Sequence, residues 1–153
     1  MKNLVLRPLT VADASAFSAM LSAQPSGYIQ YFRPFDFDVA TVTKLLEGAR
    51  DDIYMGFFVS DTLAGFFMLR GWDSGYAIPA YGVTVAQDFA GMGLATLSLD
   101  ASKSICRLRG VERLMLKVHP DNATAKRLYE KAGFVQTGVD TRNDNLIYHY
   151  DFK

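Results

Sequence analysis

A lone cysteine, Cys106, excludes any disulfide within the chain, and a reducing compartment is its simplest home. Charge of one sign is missing as well: 16 Lys and Arg meet 16 Asp and Glu, for a formal net charge of zero. Nucleic-acid binders usually carry a basic excess or stripe, so that class is set aside. No apolar run approaches the roughly 20 residues of a membrane span. Met1 to Thr10 has no apolar stretch before a cleavage site, so no secretory leader is expected there. Repeats and low-complexity linkers are lacking. These absences predict a cytoplasmic protein with no nucleic-acid partner, no membrane partner and no metal site.

What is present suits one domain spanning 1–153, with half its residues hydrophobic and enough of them to bury a core. Asn3 to Pro8 alternates and reads as a strand that stops at proline. Thr10 is placed to cap a helix over 11–21, with Asp13 in its first turn. Gly27 to Phe37 reads as an aromatic-rich loop, and Asp38 as the cap of a second helix to about Arg50. Ile53 to Val59 and Leu63 to Leu69 read as a hairpin turned at Asp61-Thr62. Gly71 to Gly75 is a loop and Tyr81 to Val85 a further strand. A long helix follows and ends at Gly110, with Cys106 among its core-filling positions. Arg113 to Val118 reads as a strand, and the next helix ends at Gly133. A closing hairpin over 134–152 turns at Asn143-Asp-Asn145. The order is β-α-α-β-β-β-α-β-α-β-β, a mixed sheet covered by helices.

Two segments carry chemistry. In Tyr81-Gly-Val-Thr-Val-Ala-Gln-Asp-Phe-Ala-Gly-Met-Gly-Leu94 a strand feeds a glycine turn that opens a helix. A first helical turn has free N–H groups and a partial positive charge, which suits phosphate. Gly91 and Gly93 allow positive φ and leave room for a ligand. The turn is no Walker A loop, because Met92-Gly93-Leu94 lacks the Lys-Ser/Thr pair. Nor is it a dinucleotide fingerprint, because Thr96 stands where a third glycine is needed. Alone, the turn also fits a plain strand-to-helix connection. The second segment runs from Asn122 to Phe134. Asn122 and Tyr129 are seven apart, about 20° from eclipsed, and share a helix face with the small Ala125 between them.

Together the segments resemble the GNAT N-acetyltransferase family, over residues 77–135 by motif and over the whole chain by element order. Asn-x-x-Ala-x-x-Leu-Tyr-Glu-Lys-x-Gly-Phe is met without a mismatch from Asn122 to Phe134. The family's Arg/Gln-x-x-Gly-x-Gly/Ala is met at Gly91 and Gly93 but departs at its first position, Asp88. The resemblance implies an α/β (α+β) fold with a central mixed, mostly antiparallel sheet flanked by helices. It implies acetyl-CoA as cosubstrate and direct attack of an amine on the thioester, without a covalent enzyme intermediate. Val83 and Val85 would then offer backbone groups to the pantetheine arm, with the N–H near Val83 polarising the acetyl carbonyl. The N–H groups of Phe89, Ala90, Gly91, Met92, Gly93 and Leu94 would hold the diphosphate. Asn122 would bond the pantetheine, Tyr129 would protonate the leaving thiolate, and Lys126 or Arg127 would reach the 3′-phosphate.

The strand Tyr81–Val85 carries no carboxylate, so the base is left to His119, Asp73, a water chain or solvent. The acceptor side is expected from Tyr28, Tyr31, Phe32 and Arg33, from Trp72, Asp73 and Tyr76, and from Tyr81 and His119. Aromatic faces suit a sugar, an aromatic amine or a cation. The expected activity is acetylation of a primary amine of a small molecule. A protein N-terminus or lysine is the alternative acceptor, and a non-catalytic acyl-CoA sensor the alternative class. A homodimer stays open.

Overall fold

Alternation within Thr62–Arg70 sets the layering of the molecule. Neighbouring side chains of a strand leave on opposite faces, so Phe66 enters one core and Phe67 another. The computed structural model describes all 153 residues, Met1 to Lys153. Seven strands form one sheet: β1 (Leu4–Pro8), β2 (Ile53–Val59), β3 (Thr62–Arg70), β4 (Ala80–Val85), β5 (Arg113–Val118), β6 (Val135–Val139) and β7 (Leu146–Asp151). Their order is β1-β2-β3-β4-β5-β7-β6. Every neighbouring pair is antiparallel except β4 with β5, which is parallel.

The helices are α1 (Ala14–Ser22), α2 (Ser26–Ile29), α3 (Val39–Gly48), α4 (Leu94–Leu108) and α5 (Ala123–Lys131). On one face, Phe17 and Leu21 of α1 and Val42 of α3 pack on Phe66 and Met68. On the other, Leu99 and Cys106 of α4 and Tyr129 of α5 pack with Phe67, Leu69, Leu114, Leu116 and Tyr148. Each such buried Val, Leu, Phe or Met side chain contributes about 1.5–3 kcal/mol. Cys106 is fully buried, and burial pushes its thiol up to about 11, as suits a core residue. No helix is long and apolar enough to cross a membrane.

The structure departs from the sequence reading in local detail. The aromatic segment after Pro25 begins with the one-turn helix α2 rather than a bare loop. Thr10 opens a 3-10 turn over Val11–Asp13, and α1 begins only at Ala14. Asp13 is held there by Arg7, at 2.8 and 2.9 Å. The β2–β3 hairpin turns at Ser60 and Asp61, both with positive φ, so Thr62 already belongs to β3. Two left-handed residues match the twist of the strands they join.

Candidate active site

The parallel pair β4–β5 is registered at one position only, Ala80 opposite Met115. The Met115 N–H donates to the Pro79 carbonyl at 3.0 Å, and beyond that point the strands part. Two features of the sequence explain the parting. Ala86 leads β4 into a 3-10 turn over Gln87–Phe89, and β5 runs into His119-Pro120, where proline has no N–H to extend a ladder. Backbone groups of an antiparallel strand point alternately to either side. Ala86 donates to Ala64 at 2.8 Å, on the β3 side. Val83 and Val85 therefore aim their N–H and C=O into the gap. The Tyr28 hydroxyl reaches the Val85 carbonyl from that side, at 2.7 Å.

The gap is a cleft of about 440 Å³. Tyr81, Val83 and Val85 of β4 form one wall, Val118 of β5 and His119 just after it another. Asn122, Ala125, Leu128 and Tyr129 close the α5 side, and Ile29, Tyr31 and Phe32 the opposite end. Asn122 is the N-cap of α5, its side chain accepting from the Ala125 N–H at 3.3 Å. The helix thus begins at the cleft and carries Ala125 and Tyr129 along the same wall.

The two phenols in the cleft differ. Tyr81 is hydrogen-bonded to Ser98 at 2.5 Å, and burial, with Tyr129 next, raises it well above the ordinary phenol range. Tyr129 packs edge-on against Tyr81 at 6.1 Å, and burial alone pushes it up to about 12. It is a phenol that stays protonated in a nearly dry wall. His119 stacks on Tyr31 at 4.4 Å, bridging the aromatic segment and the end of β5. Its Nδ1 accepts the Asp121 N–H at 3.1 Å. The neutral ring therefore carries its proton on Nε2, and a proton acceptor facing the cleft would need the other tautomer.

The glycine turn follows β4 beyond the cavity lining. Gly91 and Gly93 have φ of 77° and 83°, in the left-handed region. A Cβ on either would meet nothing within 4 Å, so the backbone there faces open space. Gly93 caps the N-terminus of α4. The backbone from Gly91 to Leu94 thus forms a cradle at a helix start, whereas the expected donors Phe89 and Ala90 are already engaged, by the Ala86 carbonyl at 2.9 Å and the Gln87 carbonyl at 3.1 Å. Lys126 and Arg127 sit on α5 outside the lining.

Several expected acceptor residues stand elsewhere. Arg33 lays its guanidinium over Phe37 at 4.5 Å, a cation–π contact outside the cleft. Asp73 accepts the N–H groups of Arg50 at 2.9 Å and Asp51 at 2.8 Å, tying down the segment before β2. It is a structural anchor, not a base in the cleft. Trp72 lies under Arg109, at 4.3 Å, in a separate cavity of about 320 Å³. Tyr28, Tyr31, Tyr81 and His119 do line the cleft. Lys117 and Thr84 are among the lining residues that were not anticipated. Lys117 is the one formally charged side chain there, set between Leu116 and Val118 in a strand that also begins on Arg113. Thr84 is 6 % exposed, and its hydroxyl has no hydrogen-bond partner.

The description "Acetyltransferase (GNAT) family" matches residues 16–134. The chain belongs to this family. It is 39% identical over 62 residues to an uncharacterized N-acetyltransferase, YdgE, of Bacillus subtilis, covering 40% of each chain. It thus spans about two fifths of the length of that curated relative. Solved structures agree over nearly the whole chain. The PaiA N-acetyltransferase of Thermoplasma acidophilum in complex with coenzyme A has a TM-score of 0.82 at 15% identity, over 98% of this chain and 99% of that one. RimJ of Mycobacterium smegmatis in complex with CoA-disulfide has 0.79 at 19% identity, over 97% and 82%. At these identities the likeness is one of fold, including the mixed seven-stranded sheet.

Proposed function

We propose that this GNAT chain is an acetyl-CoA-dependent N-acetyltransferase acting on a primary amine of a small molecule. The observation that carries the reading is the splay of β4 from β5, which leaves the Val83 N–H without a strand partner in a cleft that Tyr129 also lines. Coenzyme A in complexes of similarly folded proteins supports the choice of cosubstrate. The residues fit it: unpaired strand groups for an amide-bearing arm, and an open glycine cradle for a diphosphate. The Tyr31–His119 stack narrows the acceptor end, which favours a small acceptor over a protein chain.

Acetyl-CoA supplies an activated carbonyl and a thiolate leaving group. The chain's own part is mainly orientation and electrostatics. The Val83 N–H meets oxygen charge as the amine nitrogen bonds to carbon, and a preset donor of this kind contributes a few kcal/mol. As the carbon–sulfur bond breaks, the Tyr129 hydroxyl gives its proton to sulfur. The dry wall that raises the phenol also raises the thiolate's demand for a proton. The amine's proton leaves to water, which returns one to Tyr129. No carboxylate lines the cleft, and His119 presents an N–H in its neutral form.

Thiol release from acetyl-CoA, followed with and without a panel of primary amines, tests the reading. Amine-dependent release together with the N-acetyl product by mass is expected. Coenzyme A binding with no release for any amine would instead favour the acyl-CoA sensor.

A further inference from the structure

The two faces of the sheet divide the cleft. Leu116 and Val118 join the core under α4 and α5, so Lys117 between them points to the opposite face. Gly82 also shows that opposite face, since a Cβ there would meet Phe32 and Met68. Thr84, two residues on, shares it. Lys117, Thr84, Tyr31 and Phe32 therefore form a chamber on the side away from Tyr129.

The charge of this chamber is lopsided. The Lys117 ammonium sits 2.8 Å from Asp140, but Asp140 is also held by Arg142 through Nε at 3.0 Å and a terminal nitrogen at 2.8 Å. Both carboxylate oxygens are occupied, and the side chain is 6% exposed. Together the two cations hold its pKa well below the usual carboxylate range. Two cations share one anion, so one positive charge is left over, on Lys117, 33% exposed, and Arg142, 78% exposed and the better screened of the two. At the cleft rim Asp121 lies 4.0 Å from His119 and is 78% exposed, where solvent screens it.

We infer that the acceptor is a small α-amine that also bears a carboxylate, which Lys117 receives. This rests on the acetyltransferase reading above. A polyamine or lysine side chain suits the chamber badly: it brings positive charge toward an uncompensated cation and finds no carboxylate. The residual cation also disfavours the ammonium form of the bound amine. An α-amine starts with an advantage, since its neutral fraction at pH 7 is about 300-fold that of a lysine-type amine. The aromatic walls then suit an apolar side chain on the acceptor.

The test compares L-phenylalanylglycine, its C-terminal amide and spermidine as acceptors, by thiol release at saturating acetyl-CoA. The free dipeptide is expected to exceed the other two in kcat/KM by about tenfold or more. Lys117→Met should bring the dipeptide-to-amide ratio near one, mainly through the dipeptide's KM, and Lys117→Arg should keep the preference. Lys117→Met leaves Asp140 paired with Arg142, and a melting curve checks its fold. Should that variant not fold, Lys117→Gln must lower the same ratio. Spermidine or the amide matching the dipeptide would overturn the acceptor assignment alone, as would a ratio indifferent to both variants. No release from any amine, with coenzyme A still bound, would overturn the acetyltransferase reading and this assignment with it.

Discussion

At the scale of residues the account turns on which tyrosine can move a proton. Tyr81 and Tyr129 are both buried, but Tyr81 is tied to Ser98. Tyr129→Phe keeps the ring that packs against Tyr81 and Phe134 and removes only the hydroxyl. Its kcat should fall about 100-fold, the lower end for general acid catalysis. Coenzyme A affinity should change less than about threefold, by calorimetric titration. A pH profile adds a second check. The Tyr129 phenol is raised to about 12 by burial, so its acid form is complete below that pH and is lost only above it. The rate should rise with pH as the amine deprotonates and show no descending limb below about pH 11. A limb near the ordinary phenol range, absent in the Phe variant, would place Tyr129 in a wetter setting than the structure gives it.

Among elements, β4 matters most, because it is held on one edge and free on the other. Gly65 of β3 fixes that held edge: a Cβ there would lie 2.5 Å from the Thr84 carbonyl oxygen and 2.9 Å from the Val85 Cα. Both are backbone atoms and cannot swing aside. Gly65→Ala should cost about 1–3 kcal/mol in urea unfolding and weaken coenzyme A binding, because β4 must shift. Gly48→Ala, at the end of α3 with nothing within 4 Å, is the contrast. It should stabilise by up to about 1 kcal/mol. Equal effects at both positions would mean that the β3–β4 contact is softer than drawn.

For the whole molecule, ligand binding and folding are linked. Coenzyme A at 100 times its Kd should add about 2.7 kcal/mol to native stability. For a chain of this size that is a rise in Tm of about 5–10 °C. How much was legible beforehand follows the range of the forces involved. The sheet, its helices and the Asn122–Tyr129 face come from local periodicity and caps, which sequence carries directly. The register of β4 on β5 does not, because it depends on where two strands stop pairing. Trp72 and Asp73 looked like acceptor residues by composition, yet Asp73 serves the N–H groups of Arg50 and Asp51, over 20 residues away. Lys117 was hidden for the converse reason. Only the pairing of β5 with β7 and the fold of the closing hairpin bring it to Asp140.

The central claim is that the unpaired stretch of β4 seats the thioester. Amide chemical shifts of the labelled protein test it most directly, titrated first with coenzyme A and then with acetyl-CoA. The Val83 and Val85 amides should move with either ligand, and the Val83 amide should move further downfield with the acetyl form. Shifts gathered instead around Trp72 and Arg109, with Val83 and Val85 still, would contradict the account.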